Sequence, residues 1–334
     1  MINFIYEIKS KFIMVKKESY DVIIIGSGPA GITASIYTIR ANLSTLIIAG
    51  ETPGGQLMLT TDVEDFPGFG KIQGPELMKK MRDHAESFGV KFLDENVTSV
   101  DFKKQPFKLF ADKKEFEAKS VIIATGASAR WLGLDSEKKL IGKGVSACAV
   151  CDALFFKNKD VAVIGGGDTA LRETLHLAKI CKSVTVIHRR DKLRAQKILQ
   201  NRAFNSKNIK FIWNSEVQEF IGRDKLEIIK LKNNKGKLTE IKMDGAFVAI
   251  GHSPNTNFLK DNIELDSHGY IIVKDNIKTS VQGVFAAGDV HDYRYQQAVT
   301  AAGAGCMAAM DADEFIEDLR RENAKTNWSK IFTE

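Results

Sequence analysis

The apolar positions of this chain gather into short continuous runs, several of them closed by glycine. Residues 21–25 read Asp-Val-Ile-Ile-Ile, a run of strand length without polar alternation. Such a run suits a parallel strand buried on both faces. Gly26-Ser27-Gly28-Pro29-Ala30-Gly31 follows at once, then a helical stretch to about residue 41 and a second apolar run over 45–49. The same grammar returns roughly 140 residues on. Asp160-Val161-Ala162-Val163-Ile164 predicts a strand, Gly165-Gly166-Gly167-Asp168-Thr169-Ala170 a turn, the stretch to about residue 179 a helix, and 184–188 another strand. A repeat at that distance means two nucleotide-binding domains rather than a solenoid. Two more apolar runs, 121–126 and 284–289, end at Gly126 and at Gly288-Asp289, where bare backbone can approach a ligand. Between 210 and 250, short strands alternate with polar turns such as Asn233-Asn234-Lys235-Gly236.

Each glycine turn has a physical task. The first glycine permits the tight turn, the second lets backbone approach a pyrophosphate, and the third, where Ala is tolerated, lets helix and strand pack closely. The helix N-terminus then offers free N–H groups to the anion. One such turn is weak evidence. Two, each after a strand and opening a helix, predict two dinucleotide sites. After the second comes His188-Arg189-Arg190-Asp191-Lys192-Leu193-Arg194. NAD sites place an acid near this point for the ribose 2′-hydroxyl, and NADP sites place arginines there for the 2′-phosphate. Guanidinium groups pair well with phosphate oxygens, so Arg189, Arg190 and Arg194 predict NADPH. The first turn lacks arginines, and Glu51 is its only nearby acid. Another nucleotide such as FAD fits there, although composition does not choose FAD over NAD.

Cys148-Ala149-Val150-Cys151 is followed directly by Asp152. Two thiols at this spacing on a turn or helix start can reach disulfide geometry, and a neighbouring carboxylate can move the protons that thiol–disulfide exchange needs. A zinc site would require a second ligand pair. The other cysteines, Cys181 and Cys306, are single and distant, and the six histidines contain no closely spaced pair. The pair therefore reads as redox-active rather than as a metal site or two inert thiols, and no metal is expected. Cys181 and Cys306 read as helical core residues. NADPH delivers two electrons together, a disulfide accepts two, and a flavin can stand between them.

Composition narrows the class. A length of 334 residues suggests about two domains. Hydrophobic residues at 44% and charged residues at 27% exclude a disordered chain. Four cysteines are too few for a disulfide-stapled scaffold. No apolar run reaches the roughly 18–20 residues of a membrane span. The net charge of +6 is spread along the chain apart from the arginine cluster, which argues against a nucleic-acid partner. Residues 1–19 have no signal-peptide pattern and read as an arm outside the fold, with Met14 as the working start. A low-potential dithiol without an export signal predicts the cytoplasm.

From about Tyr20 to Glu317 the chain resembles the low-molecular-weight bacterial-type thioredoxin reductases. The likeness is carried by IIIGSGPAGITASIY, GGQLMLTTDVEDFPGF, IIATGASARWLGL, GVSACAVCDALFF, VAVIGGGDTALRE, VTVIHRRDKLRA, FVAIGHSPNT, VFAAGDV and QAVTAAGAGCMAAMDA. The resemblance implies an α/β fold of two Rossmann-like nucleotide-binding domains, each of three layers, the second inserted into the first. Residues 20–128 and 256–334 would bind FAD, and 129–255 would bind NADPH and carry the cysteines. Gly26, Ser27, Gly28, Pro29, Ala30, Gly31, Gly50, Gly54, Gly55, Gln56, Leu57, Thr125, Gly126, Gly288, Asp289, Gln297 and Ala298 would line the FAD site. Gly165, Gly167, Asp168, Thr169, Ala170, His188, Arg189, Arg190 and Arg194 would hold NADPH. Cys148 would attack the thioredoxin disulfide, Cys151 would face the flavin, and Asp152 would serve as acid and base. The NADPH domain would rotate to present nicotinamide and disulfide to the flavin in turn, within a homodimer. Two positions depart from the pattern: Gln296 stands where the family usually has Arg, and Val150 where it often has Thr. An alkyl hydroperoxide reductase flavoprotein would carry a further thioredoxin-like module before the first strand, and a ferredoxin–NADP reductase would lack the cysteine pair. A non-enzymatic nucleotide sensor would bind both cofactors without turnover.

Overall fold

The computed structural model describes residues 18–331 apart from 61 and 113. The expectations for the arm and for Met14 lie outside the described residues, except that residues 18 and 19 belong to the first strand and not to an arm.

Two sheets organise the chain, the first mixed and the second wholly parallel. The first runs Lys91–Leu93, Thr45–Ile48, Glu18–Ile25, Lys114–Ile123, Phe107–Ala111 and Val97–Asp101. The strand Lys114–Ile123 changes neighbours along its length: its first half pairs antiparallel with Phe107–Ala111, and its second half pairs parallel with Val284–Ala286. The apolar run of the first strand is buried on both faces, as its lack of alternation requires. Val22 and Ile24 pack under the helix Pro29–Arg40 and the helix Ala298–Ile331, while Ile23 and Ile25 meet Phe107, Leu109 and Phe116 on the other side.

The second sheet runs Val145–Ser146, Gly245–Val248, Asp160–Ile164, Ser183–Ile187 and Ile209–Ile212, all parallel. One face carries the helices Asp168–Leu177 and Lys197–Phe204. The other carries an antiparallel sheet of Ser215–Ile221, Ile228–Asn233 and Leu238–Lys242. The result is a three-layer α/β arrangement, whose strands all lie between the two portions of the first sheet in sequence. Where the chain passes from one sheet to the other and back, Ala127–Ala129 and His252–Pro254 pair antiparallel, with Ser128 opposite Ser253. Both predicted helices end within about two residues of expectation, at Arg40 and Leu177. Among the described residues no helix is long and apolar enough to cross a membrane.

One expectation is corrected. Cys181 is buried, but in the turn after the helix Asp168–Leu177 rather than within it. Cys306 lies in the helix Ala298–Ile331 but is only half-buried, and its thiol meets the hydroxyl of the exposed Tyr37. The small residues around Cys306 suggested a closed core, yet it stands at the edge of the buried helix face.

Candidate functional site

A cleft of about 1500 Å³ takes its walls from both sheets. Its floor is the first glycine turn. A Cβ on Gly26 would meet the Ala124 carbonyl oxygen at 2.4 Å, and Gly26 has φ +107°. A Cβ on Gly31 would meet the Gly26 carbonyl oxygen at 2.0 Å, whereas a Cβ on Gly28 would meet nothing within 4 Å. Gly26 and Gly31 therefore serve the fold, and Gly28 leaves a cradle for something that binds. The helix Pro29–Arg40 starts there with no side-chain cap, so its first N–H groups face the cleft. Ser27 Oγ donates to the Ala49 carbonyl at 3.0 Å and accepts the Gly54 N–H at 3.0 Å, which ties the turn to the loop at 50–55. Asp289, at the far wall, has its carboxyl pushed up to about 7, by burial and then by the charge of Asp292.

The second turn repeats this design. A Cβ on Gly165 would meet the Ala249 carbonyl oxygen at 2.4 Å, and one on Gly167 nothing within 4 Å. The helix Asp168–Leu177 again opens without a side-chain cap. The Gly166 carbonyl accepts the Arg194 N–H at 2.8 Å and the Ala195 N–H at 3.2 Å, folding the arginine loop over the turn. His188 is buried against Gly166 and donates from Nε2 to the Lys192 carbonyl at 3.1 Å. Arg189, Arg190 and Arg194 are exposed. Uncapped N–H groups, an open glycine and free guanidinium groups together fit a phosphorylated dinucleotide.

The cysteines stand at a helix start. Cys148 and Cys151 form a disulfide with their Cα atoms 5.4 Å apart. Cys148 caps the short helix Ala149–Asp152, its Sγ accepting the Cys151 N–H at 3.2 Å, and its own N–H donates to Ser146 Oγ at 3.0 Å. Asp152 has its carboxyl raised, chiefly by burial, with a smaller push from Asp65 and Asp62 against a hydrogen bond from Ser146.

The cleft brings together Gly26, Ser27, Gly28, Pro29, Ala30, Gly50, Gly55, Gln56, Leu57, Thr125, Gly126, Gly288, Asp289, Gln297 and Ala298 with Cys148, Cys151, Asp152 and Thr169. Gly31 and Gly54 lie behind this surface. Gly165, Gly167, Asp168, Ala170, His188, Arg189, Arg190 and Arg194 do not line it. The disulfide thus shares a chamber with the first nucleotide turn, while the second turn, Thr169 apart, and its arginines stand outside. Gln296 does line the cleft, in a left-handed conformation with φ +51°. Sequence reasoning missed Ser146 and Glu173, which also line it. Both stand inside stretches that carry the family resemblance, but neither belongs to the glycine turn or the cysteine pair that gave those stretches their reading.

A family model described as pyridine nucleotide-disulphide oxidoreductase matches residues 20–305. The thioredoxin reductase of Rickettsia conorii is 49% identical over 302 residues, covering 88% of this chain and 97% of its own. The crystal structure of thioredoxin reductase from Streptococcus pyogenes is 43% identical, with a TM-score of 0.86 over 90% of this chain and 99% of its own. The Lactococcus lactis thioredoxin reductase, solved in what is described as its FR conformation, is also 43% identical with the same coverage, but its TM-score is 0.62.

Proposed function

The chain belongs to the pyridine nucleotide-disulphide oxidoreductase family, and from that premise we propose that it reduces the disulfide of thioredoxin with electrons from NADPH, by way of FAD and the Cys148–Cys151 pair. The observation that carries this reading is the vicinal disulfide in one chamber with an open glycine cradle. The family implies a flavin and a nicotinamide cofactor. Bound, they supply the two-electron transfer that opens the disulfide.

The residues divide the work. Gly28 and the N–H groups of the helix Pro29–Arg40 hold the FAD pyrophosphate, and Asp289 with Gln297 and Ala298 closes the opposite wall. Gly167 and the helix Asp168–Leu177 hold the NADPH pyrophosphate, and Arg189, Arg190 and Arg194 clamp its 2′-phosphate. In the reduced pair the Cys148 thiolate attacks the thioredoxin disulfide, and one thioredoxin sulfur leaves as a thiol. Cys151 then attacks Cys148 Sγ, re-forming the vicinal disulfide and releasing dithiol thioredoxin. Asp152, protonated more readily than an ordinary carboxyl, exchanges the proton at the departing sulfur. Residues 20–128 with 256–334 form the FAD unit and 129–255 the NADPH unit, in a homodimer that works in the reducing cytoplasm.

The deciding experiment uses Cys151→Ser. NADPH should still bleach the flavin of this variant, while NADPH-dependent thioredoxin reduction falls at least a thousandfold. Turnover near the parent rate would overturn the relay.

A further inference from the structure

The helix Asp168–Leu177 carries a carboxyl with no part in the scheme above. Glu173 lines the same cleft as Cys148 and Cys151, and its Oε2 is closed to solvent without a hydrogen-bond partner. This helix packs directly on the redox helix Ala149–Asp152. The polar group that meets the carboxylate there is the backbone of Ala149, a fully buried residue placed between the two cysteines. Burial pushes Glu173 up to about 8, and the Ala149 backbone draws it part of the way back. The charged or titratable groups on the elements around it are Asp168, Arg172 and His176 on its own helix, Asp152 beside the pair, Lys197 and Arg202 on the helix Lys197–Phe204, and Asp160 on the strand Asp160–Ile164. None of them contributes to its shift.

We propose that Glu173 is a positioning residue for the redox pair, holding the Cys148–Cys151 turn to the dinucleotide helix through Ala149 and, when ionised, opposing the thiolate. The inference rests on the redox role given to that pair. The turn that bears both sulfurs is short, and another polar anchor is Ser146 Oγ, 3.0 Å from the Cys148 nitrogen. Losing the carboxyl therefore removes one of the contacts that tie the turn to its surroundings. A carboxylate shut from water and the half-buried thiolate beside it also disfavour each other's charge. Their protons then come off as a coupled pair, over a wider pH range than a single group would show.

The test uses the flavin-loaded enzyme with its pair opened by dithiothreitol, and follows iodoacetamide alkylation of Cys148 between pH 6 and 10. The parent profile should be broader than a one-proton curve. Glu173→Gln should sharpen it to one proton and lower its midpoint. In turnover, Glu173→Leu should lower kcat with thioredoxin at least tenfold while KM for NADPH stays within twofold. Glu173→Gln, which keeps an acceptor for the Ala149 N–H, should recover most of that loss. Superimposable alkylation profiles for parent and Glu173→Gln would overturn the proposal, as would parent-like kcat in Glu173→Leu. Should the leucine variant fail to fold, the glutamine profile decides alone. A parent enzyme whose pair NADPH cannot open would instead overturn the redox reading, because dithiothreitol opens the disulfide either way.

Discussion

Single carboxyls show how burial, not sequence neighbourhood, sets chemistry here. Asp289 follows a glycine at the end of an apolar run, a position that suggests a ligand contact but says nothing of its charge. Burial, helped by Asp292, pushes it up to about 7. Its folded value stands above its unfolded one, so the native chain binds that proton more tightly than the unfolded chain does. The associated stability is complete below pH about 4 and is lost as pH rises through about 7. Asp289→Asn, which cannot ionise, should therefore make the flavin-free chain more stable than its parent at pH 8, by about 4 kcal/mol at most. The advantage should vanish toward pH 4. Urea unfolding of both chains at several pH values reads the difference, in which the titration of Glu173 cancels. A difference independent of pH would show that Asp289 is not held up in this way.

At the scale of elements, the two glycine turns separate positions that the fold needs from positions that a ligand needs. A methyl on Gly31 would sit 2.0 Å from the Gly26 carbonyl oxygen, within the helix–strand contact, whereas a methyl on Gly28 would project into open space. Gly31→Ala should destabilise the chain by roughly 1–3 kcal/mol, as overpacking does. Gly28→Ala should keep the parent's urea midpoint but lose flavin affinity at least tenfold. Absorbance of bound flavin beside an unfolding curve tests both, and equal behaviour of the two variants would refute the distinction. These turns were legible because a parallel strand buried on both faces writes a continuous apolar run, and each run here ends in glycine. Other parts left no such mark. The hairpin formed by Val97–Asp101 and Phe107–Ala111 joins the edge of the first sheet through mixed polar and apolar residues. Glu173 is one more polar residue on an amphipathic helix, and it takes the packing of that helix in the fold, the redox helix included, to shut its Oε2 from water. Cys306 misled for the opposite reason, since it stands at the edge of the helix face that Ala304, Ala308 and Ala312 bury.

For the molecule as a whole, the position of the disulfide poses a problem of size. Cys148 and Cys151 open into a cleft of about 1500 Å³ whose other walls come from the first nucleotide site and from the helices beside the second turn. That space suits a cofactor, but a protein partner needs roughly 800 Å² of surface on each side, which no such chamber offers. Cys151 is exposed but Cys148 only half so, and a turn of the two units would open the pair further to a protein disulfide. The paired crossings Ala127–Ala129 and His252–Pro254 would be the pivot of such a turn, flanked by Gly126 at φ +64° and Gly251 at φ +104°, both with open space where a Cβ would go. The Lactococcus lactis structure is as similar in sequence as the Streptococcus pyogenes one yet superposes far less well. Equal identity with unequal superposition points to the same parts placed differently. Gly251→Ala would put a side chain into a left-handed conformation at a cost of roughly 1–2 kcal/mol without any clash, so its effect is confined to backbone preference. If this glycine is a hinge, that cost falls unequally on the two arrangements and shifts their populations about fivefold or more. Both kcat and KM for thioredoxin should then change together, by twofold to tenfold, while the ratio of bound flavin to protein stays constant. A variant whose melting temperature falls while both kinetic constants hold would place the pivot elsewhere.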